Sequence, residues 1–128
     1  MTDLTIGQAQ RMTAPAPFAL LTSADKEGKT NIMAVSWWTY LSNHPVKIGA
    51  CLSNKGYSGG NIREGGEFAI CVVDEQLRDS ALQCGRCSGR STDKASELGI
   101  ELADAKAISP KVVAASKVVF ECKLSDML

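Results

Sequence analysis

Apolar residues along this chain fall mainly into short runs of strand length, separated by residues that favour turns. Residues 18–23 and 30–38 form two such runs around a turn that ends at Gly28, and this pattern predicts a β-hairpin in which glycine adopts a positive φ. Three further apolar runs predict strands over residues 46–52, 67–73 and 116–124. A turn around Pro45 precedes the first of these. The chain is therefore predicted to be mainly β.

Helical spacing is confined to short segments. It predicts a helix at residues 6–12, one turn at 59–64, a helix from the N-cap Asp74 to near Gly85, and a helix at 93–98 closed by Gly99. Strands at this spacing, with short helices inserted between them, fit a small barrel better than an alternating βαβ sheet. We expect a single domain over residues 1–128, because no linker, repeat or low-complexity segment interrupts the pattern.

The composition argues against several classes of protein. The chain has 128 residues with 14 basic and 14 acidic side chains, so it lacks the excess of positive charge that is typical of nucleic-acid binding. No apolar run approaches the ~20 residues of a membrane-spanning helix. The first residues include an acid where a signal peptide would have positive charge. We therefore expect a cytoplasmic protein with no nucleic-acid or membrane partner.

Five cysteines without a secretory context favour reduced thiols over disulfides. Cys51, Cys71 and Cys122 each lie in an apolar run, where we expect the thiol to be buried as a small hydrophobic group. Cys84 and Cys87 have the spacing of a redox dithiol or of half a zinc site. Redox or metal chemistry is the less favoured interpretation, because the chain has no second pair at this spacing and its only histidine lies in a turn.

Residues 31–38 form an unusual strand pattern, because both faces carry a polar group and a tryptophan. Asn31, Met33, Val35 and Trp37 alternate with Ile32, Ala34, Ser36 and Trp38. One interpretation is an ordinary core strand in which tryptophan supplies packing bulk. The other is a strand with one face toward a ligand, in which Asn31 is a hydrogen-bonding amide and Trp37 is an aromatic wall.

Residues 53–61 form a glycine- and serine-rich segment that leads into the predicted helical turn. Lys55 adds a positive charge, and Ser53 and Ser58 add hydroxyl groups. Backbone N–H groups in such turns bind anions, although a solvated surface loop can have the same composition. The chain contains neither a Walker sequence nor a Rossmann glycine pattern, which argues against dinucleotide binding of the Rossmann type.

Residues 88–94 bring hydroxyl groups together with two cations, Arg90 and Lys94. Arginine can form paired hydrogen bonds with a phosphate, and lysine acts on it as a point charge. The alternative is a loop that only caps the next helix through Asp93. Together the three segments offer flat rings, an N–H-rich backbone and cations. These groups suit a ligand with a planar ring and a phosphate, such as FMN.

At these segments the chain resembles the flavin reductase-like FMN-binding split-barrel family, which includes flavoredoxin and the NAD(P)H:FMN oxidoreductases. The likeness rests on the pattern Asn-x-Met-x-Val-Ser-Trp-Trp at residues 31–38, the segment 53–58 and the Ser-Gly-Arg…Asp-Lys motif at 88–94. The resemblance implies a mainly β fold with short helices, an antiparallel six-stranded split β-barrel. It also implies a homodimer with FMN at or near the subunit interface.

The resemblance further implies which residues bind the cofactor FMN. The positions that match the family's flavin contacts are Asn31 and Trp37 near the isoalloxazine, Ser58 at the ribityl phosphate, and Lys94. Their neighbours complete the candidate site: Met33, Ala34, Val35, Ser36, Ser53, Lys55 and Arg90. Family members usually continue for several tens of residues beyond the point where this chain stops. We therefore expect a truncated barrel or one completed across a dimer.

The function implied by the resemblance is that of a flavin reductase or a flavoredoxin-like electron carrier, in which electrons pass from NAD(P)H through FMN to an acceptor. The cofactor supplies this chemistry, and the protein holds it and tunes its potential. No His–carboxylate pair has a suggestive spacing, so we expect no catalytic acid or base. Two alternatives remain open: a shortened protein that binds flavin without turnover, and a thiol-redox protein that uses Cys84 and Cys87.

Overall fold

A computed structural model of the chain describes residue 5 and residues 17–128. The helix predicted at residues 6–12 lies outside the described residues. The strands are β1 (Ala19–Ala24), β2 (Thr30–Val35), β3 (Trp38–Asn43), β4 (Val46–Ala50), β5 (Glu67–Val72), β6 (Leu102–Ala103), β7 (Val112–Val113) and β8 (Val119–Lys123). The helices are α1 (Tyr57–Gly65), α2 (Arg78–Cys84), which follows a 3-10 turn at Glu75–Leu77, and α3 (Lys94–Glu97).

The main sheet is antiparallel and has the strand order β2-β1-β5-β8. Its first two strands form the predicted hairpin, and Gly28 in their turn has a φ of 82°. The Asp25 side chain closes this turn, because its Oδ1 accepts hydrogen bonds of 2.9 Å from the backbone N–H groups of Glu27 and Lys29. The hairpin prediction is therefore confirmed.

Both faces of the main sheet are covered. Leu20 of β1 and Ile32 of β2 belong to one apolar cluster, which also contains residues of α2. Leu21 of β1 and Val35 of β2 belong to a second cluster on the opposite face, with residues of α1 and β3. Burial on both faces explains why β1 reads as a nearly continuous apolar run rather than as an alternating one.

The strand predicted over residues 30–38 is divided in the structure. β2 ends at Val35, and β3 begins at Trp38 in a separate two-stranded sheet with β4. Ser36 and Trp37 form the connection, and both are exposed. The sequence pattern did not mark this division, because apolar side chains occur on both faces on either side of it.

Trp38 anchors the start of β3. Its indole Nε1 donates a 2.8 Å hydrogen bond to the carbonyl of Pro17, and its ring is buried in the second cluster. The rings of Tyr40 and Phe120 each lie 5.9 Å from it, centroid to centroid. Such edge and tilted contacts are favoured between aromatic rings, so they hold the β3–β4 hairpin against β8.

α1 is longer than the single turn predicted at residues 59–64. Its N-cap is Gly56, and it ends where Gly66 adopts a φ of 71° and donates its N–H to the carbonyl of Ile62 at 2.8 Å. Three of its nine residues are glycine, and they lowered the helical signal of the sequence because glycine disfavours helices. The packing of Ile62 into the second cluster compensates for this.

The two other helices begin at the predicted caps. Asp74 accepts a hydrogen bond from the N–H of Gln76 and starts the 3-10 turn that leads into α2. Asp93 accepts from the N–H of Ser96 at 3.3 Å and starts α3. Gly99 follows α3 with a φ of 63°, as expected for a residue that closes a helix.

The mainly β architecture with short helices is confirmed. Over residues 17–128 the strands pair into one four-stranded and two two-stranded sheets, without a closed barrel. The six-stranded count stays a prediction. In the same part of the chain, no helix has the length and apolar character needed to cross a membrane.

The burial predicted for three cysteines is correct for only one of them. Cys71 is buried in the first cluster, and Cys122 is half-buried. The expectation for Cys51 is wrong, since it is exposed. The physical reason is that no residue of β4 is fully buried in its two-stranded sheet, so this apolar run does not lie in the core, although the Cys51 N–H still donates to the Trp37 carbonyl at 2.8 Å.

Candidate functional site

A cavity of about 180 Å³ lies where β2, the N-terminus of α1 and the loop between α2 and α3 meet. Its walls come from all three segments that the sequence singles out. They are Asn31, Met33, Leu52, Ser53, Gly56, Tyr57, Ser58, Gly59, Cys87, Ser88, Gly89 and Lys94.

Asn31 joins β2 to the start of α1. Its Nδ2 donates a 2.9 Å hydrogen bond to the Oγ of Ser58, which fixes the orientation of the amide. The opposite side of the amide meets the backbone of Gly89, since a Cβ built on Gly89 would overlap Asn31 Oδ1 and lie 3.0 Å from the Tyr57 ring. Only glycine fits at this close approach.

The N-terminus of α1 has the properties of an anion site. Gly56 provides no side-chain cap, and the first turn contains no acidic residue. Gly56 donates its own N–H to the carbonyl of Ser53 at 3.0 Å, which curves the preceding loop toward the cavity. The free N–H groups of a first helical turn carry partial positive charge and attract phosphates or carboxylates.

Lys94 places a buried ammonium group beside that helix end. The residue is 6% exposed, and its Nζ donates a 2.9 Å hydrogen bond to the carbonyl of Cys84. This carbonyl is the single acceptor of Nζ among the described residues. An ammonium group has three donors, so two remain for a ligand in the cavity that Lys94 lines.

The start of α3 is held by the residue before Lys94. Asp93 caps the helix, and its Oδ2 lies 3.2 Å from the Nζ of Lys29 in the β1–β2 turn. The Ser96 N–H and the Lys29 ammonium hold the pKa of Asp93 below its usual 3.8. At neutral pH Asp93 is therefore charged, and the pair ties the loop to the hairpin.

Arg90 connects the two loops that border the cavity. Its guanidinium donates a 2.8 Å hydrogen bond to the carbonyl of Lys55, and its backbone N–H donates to the Oγ of Ser88 at 3.3 Å. The side chain is exposed and lines a second cavity rather than the first. Its remaining N–H groups are available to a ligand there.

The structure brings five of the predicted site residues together around the first cavity: Asn31, Met33, Ser53, Ser58 and Lys94. They come from three separate parts of the sequence and from three different elements. Met33 adds an apolar side chain to the wall, beside the polar groups at the helix end. The arrangement offers an apolar part and a cationic part within one cavity.

The remaining predicted residues lie elsewhere. Ala34 packs against the first apolar cluster, and Val35 is buried in the second. Ser36 is exposed, and Trp37 is 55% exposed, so neither lines the cavity within the described chain. Lys55 has an exposed side chain and takes part through its carbonyl, which accepts from Arg90 as described above.

Seven lining residues were not singled out as site residues: Leu52, Gly56, Tyr57, Gly59, Cys87, Ser88 and Gly89. Most of them lie inside the motifs that the sequence indicates. Cys87 was treated as a structural thiol, and Leu52 as part of a strand. The signal that could have found Gly89 is its position between a hydroxyl and a cation, because a glycine there permits close backbone approach.

The thiols near the cavity differ in burial. Cys84 is buried, and burial raises the pKa of its thiol to about 11. It is therefore protonated at neutral pH and a poor nucleophile. Cys87 is half-buried and lines the cavity. Among residues 17–128, no three His, Cys, Asp or Glu side chains group closely enough to hold a metal ion.

The donor set fits the phosphate end of a nucleotide. The uncapped turn of α1 and the ammonium of Lys94 supply N–H donors and positive charge on one side, and Met33 and Leu52 supply apolar surface on another. The volume of about 180 Å³ is smaller than the ~300 Å³ at the low end of small-molecule pockets, so the cavity holds part of such a ligand.

The fold places the protein among flavin-related split-barrel proteins. The structure of flavoredoxin from Desulfovibrio vulgaris (Miyazaki F) superposes with a TM-score of 0.89 at 25% identity, over 99% of this chain and 69% of that one. The FMN-binding domain of a flavin reductases-like enzyme from Shewanella baltica gives a TM-score of 0.78 at 24% identity, over 95% of this chain and 64% of that one.

The chain belongs to the flavin reductase like domain family, whose family model matches residues 11–128. The resemblance inferred from the three motifs is therefore confirmed. A curated relative, an uncharacterised protein of Aeropyrum pernix, is 24% identical over 110 residues, which are 85% of this chain and 42% of that protein. The chain thus spans less than half the length of the curated relative it matches.

Proposed function

We propose that this protein binds FMN and acts as a flavin reductase or a flavoredoxin-like electron carrier between NAD(P)H and an acceptor. The observation that carries the proposal is the buried ammonium of Lys94, which shares a cavity with the uncapped N-terminus of α1 in a chain of the flavin reductase like family. A buried cation needs a compensating anion, and a flavin phosphate would supply it.

Each part of the cavity has a role in this proposal. Ser53, Ser58 and Lys94 would hold the phosphate, together with the first N–H groups of α1. Asn31 would offer a carbonyl oxygen and an amide donor to polar atoms of the ligand, and Met33 would contact an apolar part. Bound FMN supplies the hydride and electron chemistry.

The protein's own contribution is binding, orientation and exclusion of water. The Asn31–Ser58 hydrogen bond of 2.9 Å keeps both side chains in one arrangement, which lowers the entropic cost of binding. The protonated Cys84 thiol favours flavin chemistry over a dithiol mechanism, since a thiolate is the reactive species.

A homodimer completes the proposal. Several large apolar side chains of the β3–β4 hairpin and the connection before it are exposed: Trp37, Tyr40, Leu41 and Val46. Large exposed apolar side chains concentrated in one short segment favour an interface. A second copy of the chain would cover this patch and bring Trp37 of one subunit near the flavin, and it could complete a six-stranded barrel as one domain per subunit.

Flavin titration of the purified protein tests the proposal directly. Binding to the protein should quench the fluorescence of FMN, with saturation at one flavin per chain. The FMN-bound protein should then oxidise NADH or NADPH in the presence of an acceptor. Binding without NAD(P)H oxidation would indicate the alternative, a flavin-binding protein without turnover. Absence of FMN binding by the folded protein would contradict the proposal.

A further inference from the structure

Cys87 is the one thiol that lines either cavity within the described residues. It lies in the loop that follows α2 and is half-buried. Its Sγ donates a weak hydrogen bond of 3.6 Å to the carbonyl of Gln83. The proposed function gives this thiol no role, although it borders the space assigned to the ligand.

The same cavity contains a buried cation without a counter-ion. Lys94 is 6% exposed, and its Nζ donates to the neutral carbonyl of Cys84. None of the ion pairs among residues 17–128 includes Lys94, and the described wall of the cavity contains no carboxylate. A buried charge is costly unless it is paired, so the cavity favours an anion beside Cys87.

The loop around Cys87 adds to this positive charge. Arg86 and Arg90 lie on either side of the thiol in the sequence, and both are exposed. The one acid of the loop, Asp93, lies 3.2 Å from the Nζ of Lys29 and is thereby paired. A cleft with charge of one sign raises the local concentration of ions of the other sign. A reagent with a carboxylate should therefore reach Cys87 more often than a neutral one.

We propose that Cys87 is a modification site for small anionic disulfides, whose carboxylate is held by Lys94 and the first turn of α1. The Cys87 thiolate attacks one sulfur of the reagent, the S–S bond of the reagent breaks, and a bond from Sγ to that sulfur forms. Cys87 is oxidised, and the departing half of the reagent is reduced and takes up the proton that Cys87 lost. The inference rests on the anion site of the proposed function, and it adds that the modified cavity excludes the flavin phosphate.

The cavity suits a mixed disulfide of this kind. Its volume of about 180 Å³ is several times the ~30 Å³ that one water molecule occupies in the liquid, so a short carboxylate arm has room in it. Cys84 is buried, and burial raises the pKa of its thiol to about 11. Because it stays protonated at neutral pH, Cys84 is a poor nucleophile toward the mixed disulfide, which therefore persists.

Three disulfides of similar length and different charge test the proposal: dithiodipropionate is anionic, hydroxyethyl disulfide is neutral and cystamine is cationic. Peptide mass spectrometry measures the rate of modification of Cys87 by each reagent. The same protein unfolded in urea gives the reference rate of the same thiol without a cavity. The ratio of the anionic to the neutral rate should be about tenfold or more higher in the folded protein, and cystamine should react most slowly there.

Variants locate the source of this preference. Lys94→Gln removes the charge and keeps a donor for the Cys84 carbonyl, so the ratio should fall to that of the unfolded reference. Lys106→Gln is the matched control, because the Lys106 side chain is exposed and lines neither cavity, and it should keep the ratio of wild type.

Flavin binding provides a second measurement. Saturating FMN should slow the modification of Cys87, and wild type treated with dithiodipropionate should bind FMN with a Kd at least about tenfold higher than before. Cys87→Ser should have the same Kd for FMN before and after treatment, because the remaining thiols of the described chain line neither cavity.

The outcomes separate this inference from the proposed function. Equal rate ratios in the folded and unfolded protein would overturn the inference, and so would a Cys84–Cys87 disulfide as the stable product. Unchanged FMN affinity of the modified wild type would also overturn it, since the modification would then not occupy the flavin site. Failure of FMN to bind the unmodified protein would contradict the proposed function, whereas the charge dependence at Cys87 still tests the modification site.

Discussion

Lys94 is the only buried basic side chain within the described residues. Its position results from local structure, because Asp93 caps α3 and is itself paired with Lys29 of the β1–β2 turn. Burial of an ammonium group costs several kcal/mol of hydration, and one carbonyl acceptor offsets only part of that cost. Lys94 is thus a buried cation whose one acceptor is a neutral carbonyl, and a bound anion would serve as its counter-ion.

Lys94→Met should weaken FMN binding more than riboflavin binding, because riboflavin lacks the phosphate. Loss of a hydrogen bond to a charged group corresponds to about 1.5–3 kcal/mol, which is roughly a 10- to 100-fold increase in the Kd for FMN. Flavin fluorescence titration measures both ligands. Lys106→Met is the control, since the Lys106 side chain is exposed and lines neither cavity. Equal losses for FMN and riboflavin would remove Lys94 from the phosphate site.

Gly89→Ala should disturb the cavity through Asn31. A methyl group at this position would overlap Asn31 Oδ1, so the amide must move and its hydrogen bond to Ser58 is strained or broken. Overpacking of this kind costs about 1–3 kcal/mol, and we expect a lower melting temperature together with weaker FMN binding.

Gly85→Ala is the matched control for that substitution. A Cβ on Gly85 makes ordinary contacts, 3.5 Å from the Leu82 carbonyl oxygen and 3.6 Å from the Ala34 Cβ. This variant should retain the FMN affinity of wild type. A Gly89→Ala protein with unchanged affinity would show that the position of Asn31 does not matter for binding.

At the level of single residues, the sequence predicted part of the candidate site. Motif spacing identified Asn31, Ser58 and Lys94, which converge on one cavity. It could not identify which neighbours face that cavity, since this depends on where a strand bends. Trp37 illustrates the difficulty. Because β2 ends at Val35, Trp37 lies in the connection to β3, where it is exposed and does not line the cavity.

At the level of elements, two carboxylates of the main sheet hold the segment between β6 and β7. Glu67 of β5 accepts a 2.8 Å hydrogen bond from the N–H of Ser109. Glu121 of β8 accepts from the N–H groups of Lys106 at 2.9 Å and Ala107 at 2.6 Å. Charged acceptors make the stronger class of hydrogen bond, so these side chains fasten an otherwise irregular segment.

The attachment through Glu67 should weaken in acid. The Ser109 N–H holds the pKa of Glu67 below its usual 4.5. Because the folded-state pKa is the lower one, this stabilisation is complete above pH 4.5 and is lost as the pH falls through the folded-state value. Thermal unfolding followed by circular dichroism should show a melting temperature that declines below this pH.

Glu67→Gln isolates this contribution. The variant should melt at a lower temperature than wild type at pH 7, and the difference should shrink as the pH is lowered below 4.5. Glu101→Gln, at an exposed position, serves as the control and should leave the curve unchanged. A constant difference between Glu67→Gln and wild type at all pH values would contradict the assignment.

Most elements could be predicted from the sequence, because strand-length apolar runs and glycine or aspartate punctuation are local signals. The hairpin of β1 and β2, β4, β5, β8 and the caps of α2 and α3 are examples. The division between β2 and β3 and the length of α1 could not, since both depend on packing in the second cluster. The two-residue pair β6–β7 is too short to leave a periodic signal.

At the level of the whole molecule, several large apolar side chains of the described residues are exposed on the β3–β4 hairpin. Tyr40, Leu41 and Val46 are 58%, 66% and 70% exposed. Exposed side chains of this size are costly in water when they lie together, and a second copy of the chain would remove them from solvent. The homodimer proposed above depends on this surface.

Val46→Lys should shift the protein from dimer to monomer. The substitution adds a charge to the proposed interface without disturbing the core, since the Val46 side chain is largely exposed. Sedimentation velocity at low micromolar concentration measures the state. Leu82→Lys is the control, because Leu82 is also exposed, at 47%, but lies on α2. A monomeric wild-type protein that binds FMN tightly would contradict the interface.

The burial of β1 has a consequence for the native-state dynamics. This strand is bonded on both sides, to β2 and β5, and five of its six residues are buried. Its amide protons should exchange with solvent only when the entire domain unfolds, whereas those of the two-stranded β3–β4 pair should exchange through local openings. The centre of the four-stranded sheet should therefore stay paired while the β3–β4 hairpin opens, and hydrogen exchange followed by NMR would measure this difference.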